Sequence, residues 1–271
     1  MDVVNSVQFS NHTGYPQGWE GDVINGDKLK NLIEGLKRNN LLENIGHLLT
    51  GYIGSESFLR GIVDIIQTLR KNKEYVRYVC DPVLGDRGEL YVPKELVTIY
   101  RDQVIPLADV ILPNQFEAEQ LTGITIKSMD DVKQVCKALH ELGPEIVVIT
   151  SALIDEGKTN TVNSKHMSII ASCKKDDDSN QSNIWCIKSP IIEGNYTGAG
   201  DLFSALLLGW TAIEPRNLPL VIEKIASTMY SIIKATAEHS SSSVASKELR
   251  LIQSKSYIEA PPNLFKAIKL S

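Results

Sequence analysis

A chain of 271 residues with 42% hydrophobic and 23% charged side chains has the composition of a soluble globular protein, and its length suits one large α/β core without a second domain. A formal net charge of −5 excludes nucleic acid as the main partner, since phosphate-backbone recognition needs a basic face. No apolar run is long enough to span a bilayer and no charged-then-apolar leader opens the chain; Cys80, Cys136, Cys173 and Cys186 show no CxxC spacing, so the expectation is a cytoplasmic single-domain protein with neither zinc thiolates nor disulfides.

Val3-Val4-Asn5-Ser6-Val7-Gln8-Phe9 reads as a strand and Asn11-His12-Thr13-Gly14-Tyr15 as a turn, followed by an amphipathic helix over 27–42. Residues 47–52 form a short strand ending in a glycine turn. Ser55 caps a helix to about residue 71 that lines up Phe58, Ile62, Ile65, Ile66 and Leu69 on one face. A strand at 76–80 is stopped by Asp81-Pro82, and a helix over 93–104 carries Pro93 in its first turn. The strand at 110–112 ends at Pro113-Asn114, and 115–121 and 129–142 are helical. Ile146-Val147-Val148-Ile149-Thr150 is the continuous apolar run of a strand buried on both faces of a parallel sheet. Extended pieces at 166–172 and 184–187 flank a polar hairpin loop over 174–183. Two long helices, 199–211 and 218–239, precede a serine-rich break at 240–243, after which come 249–252 and a last short helix.

Strand and helix alternate, which predicts an α/β fold: a doubly wound, mostly parallel sheet with helices on both faces, in one domain over 1–271. Ligands in such sheets bind beyond the carboxyl ends of the strands, where Tyr52, Asp81, Asn114 and Thr150 all fall.

The stretch Asn195-Tyr196-Thr197-Gly198-Ala199-Gly200-Asp201 runs straight into an apolar helix. First-turn N–H groups lack intrahelical partners and carry the positive end of the helix dipole, and glycine lets a ligand approach the backbone, which together make an anion site. A carboxylate is foreign to a pure phosphate site but belongs where a hydroxyl is activated to attack phosphorus. In isolation the same four residues read first as a turn and a helix cap. Asp81 and Asp86 bracket a turn and suit Mg²⁺, which takes a few carboxylates together with water and substrate phosphates; as a pair they are also ordinary turn carboxylates. Asn114 and Glu117, one helical turn apart, can face one pocket, close a capping box, or do both. Gly157-Lys158-Thr159 is not a Walker A loop, because Ala152 stands where that motif needs glycine. His12 and His47 stand singly with no zinc spacing, and no GxSxG elbow is present.

Taken together, NSVQFSNHTGY (5–15), LTGY (49–52), YVCDPVLGD (78–86), YVP (91–93), PLAD (106–109), PNQFEAE (113–119), VVITS (147–151) and GAGDLF (198–203) resemble the pyridoxal kinases of the ribokinase-like group, over nearly the whole chain. The resemblance implies transfer of the ATP γ-phosphoryl group to the 5′-hydroxymethyl group of pyridoxal, pyridoxine or pyridoxamine. It implies Asp201 as the catalytic base, and Gly198, Ala199 and Gly200 as the anion hole. Val7, Phe9, His12, Thr13, Trp19 and Tyr52 would line the vitamin pocket. Asp81, Asn114, Glu117, Thr150, Ser151, Thr197, Gly198 and Ala199 would contact ATP, and Tyr91 would lie on a lid. Asp81, Asp86, Glu117 and Thr150 would stand near the metal, Mg²⁺ or Zn²⁺, and a monovalent cation, K⁺ or Na⁺. A homodimer is implied as well.

Departures from the family pattern are the short stretch Arg87-Gly88-Glu89-Leu90 before Tyr91, Leu112 where the family often has threonine at the monovalent-cation site, and Ala199 in place of a common threonine. The family also has a strand and a helix start before Asn5, including a serine at the pyridine ring, so an N-terminally shortened domain is expected. The alternatives are another ribokinase-like kinase acting on a sugar or hydroxymethylpyrimidine, and a weakly active shortened form with a binding or regulatory role.

Overall fold

The computed structural model describes residues 2–71, 75–154, 166–175 and 178–270, so Gly157-Lys158-Thr159 and residues 176–177 of the expected hairpin loop lie outside the described residues. The strands are β1 (Val7–Phe9), β2 (Gly21–Val23), β3 (His47–Thr50), β4 (Arg77–Cys80), β5 (Gly85–Asp86), β6 (Glu89–Leu90), β7 (Val110–Ile111), β8 (Ile146–Ala152), β9 (His166–Lys175), β10 (Asp178–Pro190) and β11 (Ile268–Leu270). The helices are α1 (Gly26–Arg38), α2 (Glu56–Lys71), α3 (Glu95–Ile99), α4 (Gln115–Thr122), α5 (Met129–Glu141), α6 (Ala199–Ile213), α7 (Leu218–Glu238) and α8 (Lys255–Glu259).

The central sheet has seven strands in the order β11-β10-β9-β8-β7-β4-β3. The pairs β3–β4, β4–β7 and β7–β8 are parallel, whereas β8–β9, β9–β10 and β10–β11 are antiparallel. The parallel half is the predicted one, and the antiparallel half is the correction. The polar stretch after residue 173 is largely strand rather than loop, because β9 and β10 pair along nearly their whole length.

Alternate residues of the parallel strands feed opposite faces, as the two-residue period of a strand requires. Tyr78, Cys80, Ile111, Val147 and Ile149 pack with Leu29 of α1 and with α2 to α5. Val79, Val110, Leu112, Ile146 and Val148 pack with Phe203, Leu206 and Leu207 of α6 and with Val221, Ile222 and Ile225 of α7. Helices therefore cover both faces. The apolar stripe of α2 is the expected one with Leu59 added, and its Ser55 Oγ accepts from the Phe58 amide at 3.4 Å.

Three expected elements are shorter or differently placed, and one stretch forms an element that was not expected. The first strand is only Val7–Phe9 and pairs with β2 in a separate two-stranded ribbon outside the main sheet. The helix expected over 27–42 ends at Arg38, where Asn40 turns to φ 57°, a left-handed conformation that asparagine tolerates. The helix expected over 93–104 is α-helical only in α3 and continues as a π turn, Tyr100–Val104. The segment before Tyr91 is a two-residue β-hairpin: Arg87 and Gly88 take φ 51° and 87°, the pair of positive angles that a type I′ turn requires.

Candidate active site

Parallel strands end on one edge of the sheet, and that edge gathers the predicted residues. The Asp81 amide donates to Thr50 O at 2.9 Å, the Leu112 amide to Cys80 O at 2.9 Å and the Thr150 amide to Pro113 O at 3.0 Å, so the four strand ends are stitched side by side. Gly198 enters α6 at φ 84°. The Ala199 amide turns back onto Tyr196 O at 3.2 Å, and the Leu202 amide makes the first helical bond, to Gly198 O, at 2.9 Å. Between them, the amides of Gly200 and Asp201 donate to no backbone carbonyl among the described residues. Among the expected Gly198, Ala199 and Gly200, only the Ala199 amide is taken up by a backbone carbonyl among the described residues, and the Asp201 amide stands beside Gly200 as a further free donor.

Asp201 stands over the end of β3. A Cβ placed on Gly51 would lie 3.3 Å from Asp201 Oδ1, a tight contact that would make the carboxylate give by a few tenths of an ångström. The residue opens to the cleft, yet packing around its carboxyl group pushes its pKa up by desolvation. Asp81 lies deeper, 7% exposed, with Oδ2 3.8 Å from the Cβ position of Gly200. Burial raises its pKa well above the usual carboxylate range, the charges of Glu117 and Asp201 raise it further, and the nearby Ser204 hydroxyl, which itself donates to Gly200 O at 2.9 Å, opposes them. Ser204 had no signal in the sequence. It enters the site because it follows Asp201 by three residues and so returns to the same side of α6.

Glu117 closes the capping box of α4 with Asn114: Asn114 Oδ1 accepts from the Glu117 amide at 2.9 Å and Glu117 Oε2 from the Asn114 amide at 2.8 Å. The other oxygen, Oε1, accepts from the amides of Leu84 (2.9 Å) and Gly85 (3.4 Å), and Asn114 Nδ2 donates to Gly85 O at 2.7 Å. One Asn-Glu pair therefore starts a helix and anchors the root of the β5–β6 hairpin. A Cβ on Gly85 would fall 2.1 Å from Glu89 O, which makes glycine obligatory at that root. Burial is the largest influence on Glu117 and outweighs its three N–H donors, raising its pKa to about 7. Asp86 sits on the hairpin itself, half-buried, accepting from the Arg87 amide at 2.8 Å. Tyr91 follows the hairpin, 57% exposed, with its amide on Leu84 O at 2.8 Å. Thr150 and Ser151 are partly buried at the end of β8.

The β1–β2 ribbon carries Val7 and Phe9, and Trp19 on the loop leading into β2 packs against Phe9 with ring centroids 3.7 Å apart. Ser6 Oγ donates to Tyr52 O and holds the ribbon to the end of β3. His12 and Thr13 lie on the loop leaving β1, and a Cβ on Gly14 would come 3.6 Å from Thr197 Oγ1, so this loop meets the turn before α6.

No ion pair among the described residues involves Asp81, Glu117 or Asp201, although Glu117 and Asp201 both act electrostatically on Asp81. Nor, among the described residues, do three His, Cys, Asp or Glu side chains group closely enough to hold a metal alone. Uncompensated carboxylates beside free amides fit a hydrated divalent cation that arrives with phosphates, in contrast to a closed protein cage. Leu112 is 1% exposed within the apolar layer under α6 and α7, and its side chain offers no ligand to a cation.

The charge balance gives a test. A buried carboxylate with a raised pKa contributes stability that is complete below the ordinary carboxylate pKa and is lost as pH rises through the raised value. Asp81→Asn is therefore expected to stabilise the ligand-free protein at pH 8 by about 1–2 kcal/mol, or roughly 3–6 °C in Tm. That gap should close towards pH 4 and shrink when Mg²⁺ and ATP are added. A gap independent of pH in thermal denaturation would show that Asp81 is not strained by its charge.

A sheet whose strand ends meet an anion-cradling helix start with an aspartate in its first turn is the architecture of the ribokinase-like small-molecule kinases. A family model described as phosphomethylpyrimidine kinase matches residues 44–216. The chain is 43% identical to the pyridoxal kinase of Dictyostelium discoideum, with all of this chain and 89% of that protein aligned. It is 45% identical to the pyridoxal kinase of Arabidopsis thaliana (all of this chain, 85% of that one) and 40% identical to that of Homo sapiens (all of this chain, 89% of that one). The solved structure of Leishmania donovani pyridoxal kinase in complex with ADP and pyridoxamine superposes with a TM-score of 0.88 at 29% identity, covering 99% of this chain and 88% of that one. The chain belongs to the pyridoxal kinase family.

Proposed function

We propose that this chain transfers the γ-phosphoryl group of ATP to the 5′-hydroxymethyl group of pyridoxal, pyridoxine or pyridoxamine. The observation that carries the reading is Asp201, seated in the first turn of α6 against Gly51 and next to the free amides of Gly200 and of its own backbone. Asp201 accepts the proton of the attacking alcohol as its oxygen bonds to phosphorus and the bond to ADP breaks; the amides hold the charge on the transferring group. Desolvation brings the Asp201 pKa up towards working pH, where a general base is most effective. Phe9 and Trp19 supply a flat apolar wall for a pyridine ring, with Val7, His12, Thr13 and Tyr52 completing the pocket. Thr150, Ser151, Thr197 and Asn114 lie on the ATP side.

A divalent cation, Mg²⁺ or Zn²⁺, would be held near Asp81, Asp86 and Glu117, where it would offset the carboxylate charge and polarise the phosphates. With Leu112 and Ala199 in place of threonines, dependence on K⁺ or Na⁺ is expected to be weak. The β5–β6 hairpin with Tyr91 acts as the lid, and closing it keeps water from the phosphoryl group. We also infer one kinase domain over the whole chain, working as a cytoplasmic homodimer, a reading supported by the family resemblance; light scattering of the purified protein tests the dimer.

Incubation with ATP, Mg²⁺ and each vitamer should give the 5′-phosphate, detected by its absorbance and by ADP release. The match to a phosphomethylpyrimidine kinase model favours a second substrate, a hydroxymethylpyrimidine. That match stops short of Phe9 and Trp19 and, of the proposed vitamin-pocket residues, includes only Tyr52. Turnover of the pyrimidine in preference to pyridoxal would reverse the order.

A further inference from the structure

The loop 11–18 carries His12 and Thr13 and must sit against the turn before α6 for a substrate to bridge the ribbon and Asp201. Internally it is well braced: Asn11 Nδ2 donates to His12 O and Gly18 O (both 3.0 Å), the Gly14 amide to His12 Nδ1 (3.1 Å) and the Gly18 amide to Tyr15 O (3.0 Å). Outward, its hydrogen bonds and ion pairs reach beyond the ribbon at one residue only, among the described residues. Glu248 Oε1 accepts from the Tyr15 hydroxyl at 3.1 Å and lies 3.5 Å from His12 Nε2. Because His12 Nδ1 accepts from the Gly14 amide, the proton of the neutral ring is on Nε2 and faces this carboxylate.

The segment that presents Glu248 is itself tied to α7 and lies beside the catalytic turn. The Arg250 amide donates to Thr236 Oγ1 of α7 at 3.2 Å, and Leu249 Cδ1 lies 4.0 Å from the Cβ position of Gly198. Adjacent residues of one short segment thus face the two halves of the cleft: Leu249 lies near the turn that leads into Asp201, and Glu248 bonds the loop on the vitamin side.

We infer that Glu248 is a positioning residue for phosphoryl transfer, acting through Tyr15 and His12 to hold the vitamin-side loop at a fixed distance from the catalytic turn. The inference rests on the proposed function. Glu248 reaches neither Asp201 nor the ATP side through any hydrogen bond or ion pair of the described residues, so it serves the vitamin and not the nucleotide. The carboxylate is half-exposed, which keeps the expected effect modest.

Three variants test it: Glu248→Ala, Glu248→Gln and Tyr15→Phe. Glu248→Ala should raise KM for pyridoxal by about five- to tenfold while leaving KM for ATP within about twofold. Glu248→Gln, which keeps an acceptor for Tyr15, should recover most of the loss. The double variant with Tyr15→Phe should be no worse than Glu248→Ala alone, since the two act as a unit. Hydrogen exchange on the ligand-free protein supplies a readout without turnover: amides of 11–18 should exchange faster in Glu248→Ala, and those of α6 should not. Unchanged exchange in the loop, or equal weakening of both substrates together with a lowered Tm, overturns the positioning role. If the wild type phosphorylates no vitamer, it is the substrate assignment that fails, and the exchange measurement still decides whether Glu248 holds the loop.

Discussion

Asp201→Asn is expected to lower kcat by roughly 10²–10⁴-fold, the range for loss of a positioned general base, while KM for ATP changes by no more than about twofold. The reason lies in what Asn keeps. It is close in shape to Asp, so the first turn of α6 and the free amides of Gly200 and residue 201 remain to receive phosphate. It cannot accept the alcohol proton. Stability should scarcely move, because the lost interaction of an acid with a helix N-terminus is offset by relief of the repulsion that Asp201 exerts on Asp81. Steady-state kinetics with each substrate varied, together with a single-turnover measurement, separate chemistry from binding. Full activity in Asp201→Asn would remove Asp201 from the mechanism and leave the helix start as a phosphate cradle alone.

The largest stability effect should come from Glu117→Ala. Its carboxylate receives the amides of Leu84, Gly85 and Asn114, two of them at 2.9 Å or closer, and the residue is 3% exposed. Alanine leaves these donors without an acceptor in a place water reaches poorly. An orphaned buried donor costs about 1–3 kcal/mol, and removing one member of the carboxylate group around Asp81 returns part of that, so a net loss of about 2–4 kcal/mol is expected. For a chain of this size that is roughly 5–12 °C in Tm. Glu117→Gln should lose less, since its oxygen still accepts while its amide confronts only one side of the donor set. The loss should be local as well as global: exchange at 84–90 should quicken, because Glu117 and Asn114 are what fasten the β5–β6 hairpin to α4. A Glu117→Ala variant with wild-type Tm would mean that the hairpin root is held by its backbone pairing alone.

Much of this site was legible before the fold was known. The capping box was visible as Asn114 and Glu117 three residues apart, and the cap at Ser55 was visible beside the apolar stripe of α2. The helix start at Gly198–Asp201 was visible as glycines running into an apolar segment. The hairpin at 86–89 was harder to see, since Arg87 in a left-handed conformation carries no compositional sign beyond the glycine that follows it.

Local order and strand faces follow from the sequence by itself, because side-chain period, caps and turn residues act over a few positions: which residues of β4, β7 and β8 enter which layer, where α2 and α4 begin, and that polar residues stand at strand ends. The tertiary structure alone decided which of those polar residues meet. It set Asp81 under Gly200, placed the hydroxyl of Ser204 near it, and turned β9 antiparallel to β8. It also brought Glu248 to Tyr15 across 233 positions of chain. Such pairings depend on how a whole sheet is ordered and closed, and desolvation of a carboxylate depends on what is packed around it. Neither is encoded within any one stretch of residues, which is why Asp201 could be picked out from its neighbours in sequence while the charges that surround it could not.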